Sequence, residues 1–147
     1  MELRSVAFGD QDLIPERYSY EGGNVSPPLE WSGVPGGTAE LALLCEDPDA
    51  PGGTFTHWVL TGISPGTGGL AEGLPPADAS PGRNGFGDFG WGGPRPPVGD
   101  PPHHYLFRLY AADRPLGLAA GADAGAVHTA LDDHVLSEAT LVGRFER

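Results

Sequence analysis

The stretch Glu40-Leu41-Ala42-Leu43-Leu44-Cys45-Glu46-Asp47-Pro48-Asp49-Ala50-Pro51-Gly52-Gly53-Thr54-Phe55-Thr56-His57-Trp58-Val59-Leu60-Thr61-Gly62-Ile63 decides how the chain reads. Residues 41–45 are a short, continuous apolar run of the kind a buried strand carries. Residues 56–61 are rich in β-branched and aromatic side chains and read as a second strand. Between them, two prolines, two aspartates and Gly52-Gly53 form a loop that neither strand can cross. Side chains alternate along a strand, so Asp47 is expected on the face of Leu43 and Cys45, and His57 on the face of Val59 and Thr61. A carboxylate closing one buried strand and an imidazole opening the next are costly unless they meet each other or a ligand. The functional centre is therefore expected here.

Composition bounds the rest. The 147 residues suit a single domain, 1–147, that buries roughly 68–70% of the surface its unfolded chain exposes. Gly (24) and Pro (16) make up about a quarter of the chain without a collagen-like period, but three Trp, four Tyr and six Phe in strand-like runs oppose disorder. The reading is a mainly β domain with long Gly/Pro-rich loops. A formal charge of −12, with eight Arg and no Lys, disfavours nonspecific binding to nucleic acid or anionic membrane, which needs a basic surface. It leaves room for a local anion pocket built from His and backbone N–H groups. The N-terminus has no apolar signal region and no run approaches membrane-spanning length, so a cytoplasmic location without integral membrane association is expected. The single cysteine, Cys45, permits no internal disulfide and reads as a small buried hydrophobe.

Outward from the centre, residues 2–8 suit an edge strand, and 24–31 are extended because residues before proline are pushed out of the α region. Trp31 is expected in the core. From Ser64 to Asp100 the chain reads as loop, punctuated by Pro65, Pro75, Pro76, Pro81, Pro94, Pro96 and Pro97. Asn84-Gly85 is a hairpin-type turn signal. Residues 85–90 match G-x-G-x-x-G, but no strand leads in and prolines follow, so they do not read as a dinucleotide fingerprint. Residues 103–111 alternate as a strand with His103, Tyr105, Phe107 and Leu109 on one face. Asp123 is an N-cap for a helix from Ala124 to about Ser137, with Val127, Leu131 and Val135 as its apolar stripe and His128–Asp132 as a surface pair. Leu141 and Phe145 anchor a closing strand.

Asp47, His57, His103 and Tyr105 each start or end a central strand, so neighbouring strands would bring them to one pocket. Imidazole, phenol and loop N–H groups suit a phosphate or carboxylate oxygen, with Asp47 fixing one histidine's tautomer and raising its pKa. The bland alternative is that these residues satisfy one another and brace the loops. Asp47, Asp49, His57, His103 and His104 are also metal-ligand types, but no helix-based spacing or Cys pair accompanies them, and no metal or cofactor is expected. A Ser26–His57–Asp47 triad lacks the G-x-S-x-G elbow.

The words Asn24-Val25-Ser26-Pro27-Pro28-Leu29-Glu30-Trp31, Asp47-Pro48-Asp49-Ala50-Pro51 with Thr54-Phe55-Thr56-His57-Trp58, Gly82-Arg83-Asn84, Gly92-Gly93-Pro94, His103-His104-Tyr105 and Leu141-Val142-Gly143-Arg144-Phe145 follow one another along nearly the whole chain. In them the chain resembles the phosphatidylethanolamine-binding protein family, most closely its bacterial and archaeal Raf-kinase-inhibitor-like branch. The resemblance implies a β-sandwich of two antiparallel sheets with one or two short helices. It also implies a pocket for a small anionic ligand or metabolite, with Asp47, His57, Gly93, Pro94, His103 and Tyr105 as its binding residues. A homodimer and a modulated protein partner are further implications. Three departures stand out: Trp91 and Arg95 where Tyr and Cys are common around Gly-Gly-Pro, His104 where Arg is usual, and Thr61-Gly62-Ile63 in place of Tyr-Asn-Ile, which is expected to open space beside the second strand. Three functions fit: anion binding; isomerase, cyclase or dehydratase chemistry with Asp47, His57, His103 and Tyr105 as the acid/base groups; and protease or kinase inhibition through an exposed loop.

Overall fold

In a computed structural model the described residues are 1–75 and 77–147; Pro76, one of the loop prolines, lies outside them. The opening stretch forms β3 (Glu40–Asp47) and β4 (Phe55–Ile63), each longer than its apolar centre. They sit in a five-stranded sheet of order β6-β4-β3-β7-β8, with β6 (Ser80–Pro81), β7 (His103–Ala112) and β8 (Val135–Phe145). A three-stranded sheet, β1-β2-β5, is built from β1 (Glu2–Arg4), β2 (Leu29–Ser32) and β5 (Gly69–Leu70). Every pairing between these strands is antiparallel. The fold is mainly β, two antiparallel sheets with one short α-helix, α1 (Ala124–Leu131).

The continuous apolar run of β3 has a simple cause: both its faces are covered. Leu41, Leu43 and Cys45 pack with Leu3, Leu29, Trp31 and Leu70 of the small sheet. Ala42 and Leu44 pack on the other side with Val127 and Leu131 of α1. A strand buried on two faces has no polar face to present, which is why it does not alternate. Each fully buried aliphatic side chain here contributes roughly 1.5–3 kcal/mol.

Helix α1 starts where expected, with Asp123 accepting from the Ala126 N–H at 2.9 Å, but it stops at Leu131 and not near Ser137. Asp133 adopts a left-handed φ of 64°, and Val135 is taken by pairing with Ala112. Strand pairing with β7 overrides the four-residue spacing, so Val135 is no part of the helix stripe. His128 pairs with Glu46 across the helix–sheet interface at 3.2 Å, not with Asp132.

Two bulges in β4 re-aim its side chains. Leu41 opposes Ile63 and Leu43 opposes Leu60, so Thr61 and Gly62 together face Ala42 alone. The extra residue lets Leu60 and Ile63, three apart, both reach the small-sheet core. At the other end, Cys45 opposes Trp58 and Glu46 opposes Thr56, leaving His57 as an unpaired extra residue. His57 therefore does not share the helix-side face of Val59. It lies on the opposite side, with Asp47 and Tyr105.

Gly62 sits at φ +69° and a Cβ there would stand 3.3 Å from the Asp78 carbonyl oxygen. Gly62→Val is expected to destabilise by about 1–2 kcal/mol or more in urea unfolding, and Gly62→Asn by less, because Asn tolerates the left-handed region. Equal loss in the two variants would remove backbone conformation as the cause.

Candidate functional site

The ends of β3, β4 and β7 converge on a cavity of about 180 Å³ lined by Asp47, Ala50, Pro51, Phe55, His57, Phe86, Arg95, Pro96, Pro97, His103 and Tyr105. Larger grooves of about 390 and 610 Å³ lie elsewhere. Among the described residues the small cavity alone brings together Asp47, His57, His103 and Tyr105, all buried.

Asp47 closes β3 with an Asx turn: its Oδ1 accepts from the Asp49 N–H at 2.7 Å, while its Oδ2 accepts from His103 Nδ1 at 2.7 Å. His103 Nε2 faces Asp100 Oδ2 at 3.0 Å. Two ionised carboxylates accept and cannot donate, so both ring nitrogens must carry protons and His103 is an imidazolium. Burial works against that charge, but the hydrogen bonds to Asp47 and Asp100 outweigh it and raise the His103 pKa. The histidine held by Asp47 is thus His103.

His57 is different. Its Nδ1 faces the Gly92 carbonyl at 2.6 Å, and the Gly92 N–H donates back to the His57 carbonyl at 2.9 Å. A carbonyl only accepts, so Nδ1 carries the proton and Nε2 is the free nitrogen. Burial lowers the His57 pKa, only partly offset by the Gly92 carbonyl and the charge on Asp47, and the ring is neutral near pH 7. The His57 ring lies 5.0 Å from Phe55, 5.0 Å from Tyr105 and 5.8 Å from Phe86. Tyr105 is fully buried, and its hydroxyl has no hydrogen-bond partner among the described residues. Burial also raises its pKa, so the phenol stays protonated.

Gly93 and Pro94 do not line the cavity; they stand behind its wall. The Gly93 N–H donates to Asn24 Oδ1 at 2.7 Å, and Tyr20 N–H donates to the Pro94 carbonyl at 3.0 Å. A Cβ at Gly93 would collide with the Tyr18 carbonyl and approach Tyr20 N to 2.7 Å, so only glycine fits. The pair locks the segment that holds His57. His104 points outward and pairs with Asp49 at 2.8 Å, so it adds no imidazole to the cavity. Asp49 is lowered in pKa by those His104 hydrogen bonds. Ser26 opens on a separate groove with Trp58 and Trp91, away from any triad geometry. Thr61 and Gly62 serve the bulge far along β4 and line no part of the cavity. Burial raises the thiol pKa of Cys45, which is enclosed in the core. Residues missed from sequence are Asp100, Phe55, Phe86, Pro96 and Pro97. Asp100, three residues before His103, was the legible one among them.

A family model described as phosphatidylethanolamine-binding protein matches residues 4–146. The chain belongs to this family. It is 47% identical over 152 residues to a UPF0098 protein of Methanothermobacter thermautotrophicus, covering 100% of this chain and 99% of the relative. It is 44% identical over 146 residues to LppC of Mycobacterium tuberculosis, a protein carrying a lipoprotein name, covering 99% of this chain and 72% of the relative. Among solved structures it resembles Escherichia coli YbcL, described as a member of the mammalian PEBP family, with a TM-score of 0.94 at 31% identity over 99% of this chain and 98% of that one. The phosphatidylethanolamine-binding protein homolog CT736 of Chlamydia trachomatis matches with a TM-score of 0.92 at 37% identity, over 99% and 97%. Relatives thus include archaeal as well as bacterial proteins. Among the described residues no helix is long and apolar enough to cross a membrane.

The two histidines act oppositely on stability. His57 is lowered in the folded state, so its contribution is present above the ordinary value of about 6.5 and is lost as pH falls through its folded pKa. His103 is raised, so its contribution is present below about 6.5 and lost as pH rises through its folded pKa. Urea unfolding across pH is expected to show His57→Gln flattening the acid limb and His103→Gln the alkaline limb. The latter also costs about 3–5 kcal/mol at neutral pH by stranding buried Asp47. Parallel limbs in variant and wild type would contradict the assignments.

Proposed function

We propose that this phosphatidylethanolamine-binding protein family member binds a small anionic group, a phosphate or carboxylate, in the cavity between Asp47, His57, His103 and Tyr105. The observation that carries the reading is the Tyr105 hydroxyl: a buried, protonated donor with no acceptor among the described residues. Leaving such a donor unpaired costs about 1–3 kcal/mol, which a ligand oxygen would recover. With Nδ1 committed to the Gly92 carbonyl, His57 Nε2 on taking a proton becomes a second, charged donor. Asp47 and Asp100 do not oppose this as two bare charges, because His103 already sits between them as a cation. Ala50, Pro51, Phe55, Phe86, Pro96 and Pro97 give the cavity largely apolar walls, and a lower local dielectric strengthens each of these bonds. The family description itself names a phosphate-bearing lipid, which carries the same oxygen chemistry.

Sulfate is a suitable probe because its charge is constant over this range. Its affinity, measured by calorimetry, is expected to weaken up to about tenfold per pH unit between roughly pH 6.5 and 8, because binding takes up one proton at His57. His57→Gln is expected to remove that dependence. Tyr105→Phe should weaken binding roughly ten- to a hundredfold while leaving the free protein as stable as wild type or more so, since it deletes an unpaired buried hydroxyl. Sulfate affinity indifferent to both substitutions would overturn the reading.

A second reading, proton transfer on the bound molecule, is favoured by one observation. A neutral imidazole and a protonated phenol line the same small cavity, the two rings 5.0 Å apart, as a base and an acid. It predicts solvent deuterium incorporation, followed by NMR, into small carbonyl compounds bearing a phosphate or carboxylate, abolished by His57→Gln. No exchange across such a panel would leave binding alone.

A further inference from the structure

The chain has three tryptophans, and their indole N–H groups are not treated alike. Trp31 Nε1 donates to the Thr67 carbonyl at 2.6 Å, and Trp91 Nε1 to the Tyr18 carbonyl at 3.1 Å. Trp58 is only 2% exposed, yet its Nε1 has no hydrogen-bond partner among the described residues. The part of Trp58 that is not enclosed lines the groove of about 390 Å³. Ser26 lines the same groove at 8% exposure, and its hydroxyl likewise has no partner among the described residues. Among those residues the Tyr105 hydroxyl is the one side-chain polar atom both unpartnered and sealed, so the Trp58 N–H and the Ser26 hydroxyl open onto the groove. Asn24, the third polar side chain there, gives its Oδ1 to the Gly93 N–H at 2.7 Å, which leaves its NH2 group as a further donor.

The rest of the lining is aromatic and apolar. Trp91 stands edge-on to Trp58, ring centroids 5.2 Å apart at 72°. Phe89 is exposed, with the Arg83 guanidinium 5.0 Å from its ring centroid, and Pro75 and Pro81 complete the walls. Exposed Leu74, between the lining residues Gly73 and Pro75, widens the apolar patch. No ionisable side chain lines the groove, so the part of a ligand that enters it is uncharged. The unspent side-chain groups are two N–H donors and one hydroxyl, and they call for acceptors. An ordinary peptide brings an N–H with each carbonyl and would leave most of those N–H groups unmatched here. Proline brings a carbonyl and no N–H. In polyproline II those carbonyls make no internal hydrogen bonds, and such segments dock in aromatic-lined grooves.

We propose that this groove is a docking site for a proline-rich segment of a partner protein in the polyproline II conformation. Proline rings pack against Phe89 and Trp91, one carbonyl accepts from the Trp58 N–H, and a neighbouring carbonyl is taken by Ser26 or Asn24. The segment is already extended before it binds, so little ordering cost opposes the contact. The groove shares no lining residue with the anion cavity, and this inference stands independently of what that cavity binds.

The test titrates two uncharged peptides of equal length, acetyl-hexaproline amide and acetyl-(Gly-Ser)3 amide, into the 15N-labelled full chain. The indole signal missing from Trp58→Phe identifies that of Trp58. Hexaproline is expected to move this signal downfield and saturably, and further than those of Trp31 and Trp91, whose N–H groups already have acceptors. Proline carries no aromatic ring current, so the shift reports the new hydrogen bond. The Gly-Ser peptide should bind about tenfold more weakly or less well still. Phe89→Ser, a change at an exposed position, should weaken hexaproline by about tenfold while its thermal melt matches wild type, which separates recognition from folding. Ser26→Ala should weaken it by a few-fold. No movement of the Trp58 signal at about 5 mM hexaproline, equal binding of the two peptides, or indifference to Phe89→Ser would each overturn the proposal. A Trp58 signal moved by acetophenone and not by hexaproline would also overturn it, by giving the groove to small neutral carbonyl compounds.

Discussion

The arrangement depends on one buried contact, the carboxylate of Asp47 against the imidazolium of His103, with both side chains about 4–5% exposed. A carboxylate at the end of a buried strand would otherwise be a net liability, since removing an ion from water costs several kcal/mol. The contact is tolerable because every oxygen and nitrogen in it is used. Asp47 also accepts the Asp49 N–H, and His103 also donates to Asp100. It joins the last residue of β3 to the first of β7, and β3 already carries β4 on its other edge. Three strand ends are thereby held level, and a cavity opens where they stop.

Within that frame the four central side chains divide into two kinds. Asp47 and His103 satisfy each other and, as a pair with Asp100, have little left to offer a ligand. His57 and Tyr105 are left over: one a neutral imidazole with a pKa depressed by burial, the other with a hydroxyl lacking any partner among the described residues. Bracing and binding are therefore not rival accounts of the same residues. The ion pair braces, and the neutral imidazole and phenol it positions are the groups with unspent hydrogen-bonding capacity. The Gly92-Gly93-Pro94 segment belongs to the first kind: it grips His57 from behind and is itself gripped by Asn24 and Tyr20.

The family membership fixes the fold and fits the cavity, while the departures from its usual words fall into different physical classes. Gly62, standing where Asn is frequent, keeps a left-handed backbone that a bulge requires, and both residue types serve it. His104 faces solvent and hydrogen-bonds to the Asp49 carboxylate. Trp91 packs between Trp58 and Phe107 and donates its indole N–H to the Tyr18 carbonyl at 3.1 Å. Arg95 alone among them lines the cavity.

Much of this was legible in the chain itself. The apolar run 41–45, the alternation in 103–111 and the Pro-bounded Asp47-Pro48-Asp49-Ala50-Pro51 loop gave the central strands and put Asp47, His103 and Tyr105 at their ends, because burial and strand period are local properties of sequence. The face of His57 was not legible: a one-residue bulge reverses strand parity, and a bulge exists only relative to the partner strand. Nor was the end of α1, where pairing of Val135 with Ala112 defeats a helical spacing that is intact in the sequence. Phe86 and Arg95 likewise come to the cavity through loops whose course is set by contacts far away along the chain. Sequence alone determined which residues carry charge, hydrogen-bonding capacity and strand propensity. Only the tertiary structure decided which of them spend that capacity on each other and which keep it, because that depends on who their neighbours are in space.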